Sequence, residues 1–134
     1  MKRLLARLIR LGAGVGLLGA VWACNAPFIP VPPPAQVGFT ASKVADGNGG
    51  QKTVWSAMGF LGSGAGLARV YIVNDASGDG VVTEADAAGV YTSPTFDGTM
   101  GDHVDIYYED HTTGDRSATA CLILQEGSLA PQCP

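Results

Sequence analysis

Val104-Asp-Ile-Tyr-Tyr-Glu109 decides the fold. Val104, Ile106 and Tyr108 fall on one side of an extended chain, and Asp105, Tyr107 and Glu109 on the other. A period of two in β-branched and aromatic residues describes a strand with one face buried. Working outward, Ser117–Leu124 repeats the pattern. Ala118, Ala120, Leu122 and Leu124 share one face, and Cys121 and Ile123 share the other. Further strands are predicted at Val37–Ser42, Thr53–Met58, Ala68–Val73, Gly89–Thr92 and Thr95–Met100. Between them stand clusters of Gly, Asp, Asn and Ser, the residues that favour turns. No amphipathic run after residue 23 is long enough for a stable helix. Some seven short strands in about 100 residues predict an all-β fold, an antiparallel β-sandwich over residues 37–134.

Residues 62–124 resemble the small immunoglobulin-like modules of bacterial surface proteins. The resemblance rests on Gly62-Ser-Gly-Ala-Gly66, Ala68-Arg-Val-Tyr-Ile72, Thr83-Glu-Ala-Asp-Ala-Ala-Gly-Val-Tyr91, Gly101-Asp-His-Val-Asp-Ile106 and Asp110-His-Thr-Thr-Gly-Asp-Arg-Ser117. These motifs describe turns and strand starts, so they speak to fold and not to activity. The segment Asp75–Val82 and the terminal cysteine pair depart from the pattern.

The N-terminal end has a different composition. Lys2, Arg3, Arg7 and Arg10 lie in the first ten residues, followed by an uncharged stretch from Leu11 to Ala23. A basic start, a short apolar run and a small residue at its end describe a secretory signal over residues 1–23. The apolar run is shorter than the roughly 20 residues of a spanning helix. Val21-Trp-Ala-Cys24 resembles the lipobox of bacterial lipoprotein precursors, with Trp22 as its one departure. The resemblance implies lipid attachment at Cys24, which becomes the mature N-terminus. Asn25, rather than Asp, then implies the outer membrane if the cell is Gram-negative. Residues 24–36 follow as a linker, with Pro27, Pro30, Pro32, Pro33 and Pro34 expected to hold it extended, outside any helix or sheet.

Cleavage after Ala23 leaves 12 acids against Lys43, Lys52, Arg69 and Arg116. So acidic a domain does not bind a nucleic-acid backbone, which needs clustered bases. With Cys24 lipidated, Cys121 and Cys133 remain as a pair, and outside the cytosol they are expected to form a disulfide. No other Cys and no His lies near them in sequence, so the two sulfurs alone do not read as a metal site.

One segment carries the spacing of a metal loop. Over Asp75–Asp86, oxygen ligands at positions 1, 3, 5, 7, 9 and 12 would come from Asp75, Ser77, Asp79, the Val81 carbonyl, Thr83 and Asp86, with Gly80 at the turn. The segment resembles a dockerin-type calcium loop, which implies Ca²⁺ binding. The competing reading is a hairpin turn at Asp79-Gly80. No nucleophile elbow is present. Neither Asp102-His103 nor Asp110-His111 pairs well for acid–base work, because strand neighbours point to opposite faces. Tyr107, on the acidic face of its strand, is a candidate for a binding patch.

The expectation is therefore a lipid-anchored, extracytoplasmic β-sandwich with no catalytic site and no required cofactor. Its role would be structural or binding, with the membrane and an envelope protein as partners and no nucleic acid. The alternative is a calcium-binding or cohesin-docking module built on residues 75–86.

Overall fold

Alternation in the sequence becomes burial in the strand that contains Val104. Val104 and Ile106 are wholly buried and Tyr108 nearly so, whereas Asp105, Tyr107 and Glu109 stay partly exposed on the other face. The computed structural model describes residues 31–134. The segment 1–23 expected to be a secretory signal, Cys24 and Asn25–Pro30 lie outside the described residues.

Eight strands are formed: β1 (Ala35–Ala45), β2 (Gln51–Phe60), β3 (Arg69–Asn74), β4 (Gly80–Glu84), β5 (Val90–Thr92), β6 (Phe96–Asp97), β7 (His103–Glu109) and β8 (Ala120–Ile123). All pairs are antiparallel. One sheet has the order β1-β2-β5, with β6 also on β2, and the other runs β4-β3-β7-β8. β5 and β6 are two halves of one strand, interrupted at Ser93-Pro94. The Ser93 hydroxyl accepts the Ala57 N–H at 2.9 Å and donates to the Pro94 carbonyl at 2.7 Å, so it bridges the break. The fold is an antiparallel β-sandwich. Its strands divide between the sheets as the A, B, E and C′, C, F, G strands do in immunoglobulin-like domains.

The two inner faces meet in one core. Phe39, Trp55, Ala57, Tyr91 and Phe96 come from the first sheet, and Val70, Ile72, Val104, Ile106 and Leu122 from the second. Phe39 and Phe96 meet edge to face, with centroids 6.4 Å apart. Trp55 is buried with its indole N–H satisfied by the Gly98 carbonyl at 2.9 Å. Gly59 is required opposite Tyr91, because a Cβ at that position would stand 2.5 Å from the tyrosine Oη.

All seven expected strands are present, and β4 is additional. The sequence reading ran residues 80–84 into a loop. Gly80–Glu84 instead pair in register with β3, from Val73↔Gly80 to Arg69↔Glu84. The turn falls before Asp79-Gly80, over Asp75–Gly78. The Asn74 N–H bonds to the Asp79 carbonyl at 2.8 Å, and Gly78, at φ 73°, supplies the left-handed residue.

The proline segment also departs from expectation. The Val31 carbonyl accepts the Ala118 N–H at 3.0 Å, Pro34 is buried, and β1 already begins at Ala35. Proline removes a donor but leaves carbonyls free, so such a segment can still accept from a neighbouring strand. The folded unit therefore starts inside the segment assigned to the linker.

The C-terminal tail is a strap between the sheets. Phe39 and Gly127 exchange two backbone hydrogen bonds of 3.0 Å, and the Ala130 N–H reaches the Val37 carbonyl at 2.7 Å. The tail then crosses to β8, where the Ile123 N–H bonds the Pro131 carbonyl at 2.8 Å and the Cys133 N–H bonds the Cys121 carbonyl at 3.1 Å. Two of the sheet edges, β1 and β8, are thereby partly covered, which protects against edge-to-edge association. The disulfide Cys121–Cys133, with Cα atoms 5.5 Å apart, locks the end of the strap.

Candidate functional site

The outer face of the second sheet gathers most of the sandwich's chemically distinctive side chains. Strand register sets them in rows. Glu84, Arg69 and Glu109 form one row, and Val82, Tyr71 and Tyr107 the next. Gly80, Val73, Asp105 and Cys121 form a third, followed by His103 opposite Ile123. The same alternation that buries Val70, Ile72, Val104 and Ile106 turns these residues outward.

Tyr71 and Tyr107 stack, with ring centroids 4.8 Å apart and planes 10° apart. The Arg116 guanidinium lies 3.5 Å from the Tyr107 centroid, a cation–π contact. Arg116 reaches this position through an antiparallel bridge with Glu109, the last residue of β7. Tyr71 Oη donates to Glu109 Oε2 at 2.8 Å. Beyond Tyr71, Val82 leaves about half of its surface exposed. The result is a ladder of Arg116, Tyr107, Tyr71 and Val82 across the sheet, flanked by Glu84, Glu109 and Asp105. Burial, and then the nearby Asp75, push the Asp105 carboxyl up, while Arg116 and His103 pull it down.

The residues of the expected calcium loop are distributed along a hairpin. Asp75, Ser77 and Asp79 sit in the β3–β4 turn, where the Ser77 hydroxyl accepts the Asp79 N–H at 3.1 Å. Val81 and Thr83 lie in β4, and the Thr83 hydroxyl donates to the Thr92 carbonyl at 2.9 Å. Asp86 lies past the far end of β4, where one carboxylate oxygen accepts the Ala88 and Val90 N–H groups at 2.9 Å each. An extended strand rises about 3.3 Å per residue, so β4 alone sets the two ends of the segment on the order of 13 Å apart. These six residues are not brought round one point.

The turn has its own polar hub. Asn74 is fully buried, and its amide donates to the Asp102 carboxylate at 2.9 Å and the Asp97 carbonyl at 3.2 Å. Its side-chain oxygen accepts the Ala76 N–H at 2.9 Å. The Thr99 N–H, together with the Asn74 amide, holds the Asp102 carboxyl below its usual range. In the same way the Thr113 and Thr112 N–H groups hold Asp110 down. Asp102 and Asp110 are thus engaged in turns, and the adjacent His103 and His111 are both exposed.

At the open end of the sandwich a cleft of about 690 Å³ lies between β1, β2 and the β6–β7 connection. Trp55 forms its floor, with Lys43, Met100 and Glu126 at its rim.

The disulfide corner holds what the sequence reading missed. His103, Cys121 and Cys133 place one nitrogen and two sulfurs within 4.8 Å of one another. His103 is 18 residues from Cys121 in the chain, and only the β7–β8 pairing joins them. Comparison with protein-family profiles, curated proteins and solved structures finds no match to this chain.

Proposed function

We propose that this chain is a lipid-anchored, extracytoplasmic protein whose sandwich is a non-catalytic binding module. Lipid at Cys24 gives attachment to the membrane. The outer face of the second sheet gives contact with an envelope partner. The observation that carries this reading is the Arg116–Tyr107–Tyr71–Val82 ladder on a partly exposed sheet face. Tyrosine and arginine are enriched where proteins meet, because each combines contact surface with a polar end. Glu84, Asp105 and Glu109 outnumber Arg69 and Arg116 on this face, which favours a partner with basic residues at its rim.

Two measurements test the two halves of the proposal. Mass analysis of the mature N-terminal peptide from membranes is expected to show diacylglycerol on Cys24, and Cys24→Ala is expected to leave the protein unmodified and out of the membrane fraction. An unmodified Cys24 in the wild-type protein refutes the anchor. For the face, a photo-crosslinking side chain at Val82 is expected to capture one discrete envelope protein in living cells, and Tyr107→Ala to abolish the product. The same product from a crosslinker on the opposite sheet, at Met58, refutes this face as the contact.

A further inference from the structure

We propose that His103, Cys121 and Cys133 form a metal site in the reduced protein, suited to a borderline or soft d¹⁰ cation such as Zn²⁺. The three side chains come from the start of β7, from β8 and from the C-terminal strap. Their ligand atoms already lie within 4.8 Å of one another. Tetrahedral zinc, with bonds of about 2.3 Å to sulfur and 2.0 Å to imidazole, requires separations of roughly 3.3–3.8 Å. The sulfurs are bonded to each other in the oxidised protein, so on reduction they must move apart and the His103 nitrogen must settle at these separations.

The disulfide is not what holds the two cysteines together. Antiparallel pairing of Asp105 with Cys121 and His103 with Ile123 fixes His103 diagonally across from Cys121. The Cys133 N–H bonds the Cys121 carbonyl at 3.1 Å, and Leu122 bridges to Gln132. Breaking the S–S bond therefore leaves both thiols against His103 on a scaffold of backbone hydrogen bonds. His103 is exposed and the cysteines are partly so, which leaves room for a reductant and for a fourth ligand such as water. Three protein ligands with an open position make an accessible site, not a sealed structural one. Asp105, directly opposite Cys121, adds a carboxylate to the surroundings of the cation.

The chemistry balances in two steps. A dithiol reductant transfers two electrons and two protons to the disulfide, giving two Cys thiols and an oxidised reductant. Zn²⁺ then binds as both thiols ionise, releasing two protons, with the neutral His103 imidazole as third ligand. Oxidation and metal binding are mutually exclusive at this corner, since both use the same two sulfurs.

The test uses the full chain in the Cys24→Ala background, so that Cys121 and Cys133 are the only thiols. It is purified in mild detergent and reduced with a phosphine under argon. Co²⁺ is the spectroscopic probe and Zn²⁺ the competitor. The reduced protein is expected to bind one Co²⁺, with thiolate-to-cobalt charge transfer and tetrahedral d–d bands that one equivalent of Zn²⁺ removes. The oxidised protein should show neither. His103→Ala should weaken binding by roughly tenfold or more and change the d–d bands. Cys133→Ser should lose the site, and His111→Ala should bind as the parent does. Equal Co²⁺ binding by the reduced parent and His103→Ala overturns the proposal, as does the absence of binding by the reduced parent. Far-UV circular dichroism is followed throughout, and a reduced chain that unfolds and is not refolded by Zn²⁺ overturns it equally.

Discussion

Removing the cross-link at the end of the strap, in Cys121→Ser/Cys133→Ser, has a calculable cost. The two cysteines are 12 residues apart in sequence. In the chain-entropy treatment a loop of that length restricts the unfolded ensemble by about 3 kcal/mol at 25 °C. The native strap has its own backbone bonds, at Phe39–Gly127, Val37–Ala130, Ile123–Pro131 and Cys121–Cys133. These keep it docked in the variant, so the entropic figure is the main loss and the fold survives. For a domain of this size each kcal/mol moves the midpoint by about 4–8 °C, so the variant should melt roughly 12–24 °C below its parent. Calorimetry under oxidising conditions measures the shift. Hydrogen exchange adds a local readout, since the Ala130 and Ile123 amides should exchange faster than those of Ile72 and Ile106. A midpoint lowered by less than about 5 °C would refute the reasoning, because the cross-link would then not constrain the unfolded chain as assumed.

Three further outcomes are expected. Among the described residues Tyr91 Oη is buried without a hydrogen-bond partner, and burial pushes its pKa well up. Tyr91→Phe should therefore hold or raise stability by up to about 1 kcal/mol, whereas Gly59→Ala, which aims a methyl at that ring, should cost about 1–3 kcal/mol in chemical denaturation. Asn74→Ala removes three side-chain hydrogen bonds from a buried position and should cost about 2–4 kcal/mol. The Asp102 carboxyl lies below its unfolded value in the native state, so its contribution is present above about pH 5 and is lost as the pH falls through the native value. Asn74→Ala should accordingly flatten the acid limb of a pH–stability curve, and an unchanged acid limb counts against the hub. Finally, a double-mutant cycle on Tyr71→Ala and Tyr107→Ala should give a coupling of about 0.5–1.5 kcal/mol, and additive losses would mean the stack contributes nothing beyond burial.

The strands were legible because their signal is local. Val104 to Glu109 reports its own two faces without knowing its neighbours, and burial follows that alternation residue by residue. β4 was less legible. Its Gly80-Val-Val-Thr-Glu84 run has β-branched residues, but the alternating acids around it fit a ligand loop equally well in spacing. Only pairing with β3 shows it as an edge strand of a sandwich. The proline segment was misplaced for a related reason. Local rules count donors, and the bond Val31 makes uses its carbonyl toward a residue 87 positions away.

Composition and alternation by themselves determined the all-β class and the inward and outward residues of the late strands, while the pairing of Cys121 with Cys133 was expected once the lipobox resemblance sets Cys24 aside. Those properties depend on a residue and its near neighbours, or on counting. The partition into two sheets, the strap across β1 and β8, the Arg116–Tyr107–Tyr71 stack and the place of His103 beside the disulfide were decided only by tertiary structure. Each depends on which strands pair and in which register, and a shift of one residue would turn every one of these side chains to the opposite face. Register is set by how the whole core packs, so no single stretch of the sequence contains it.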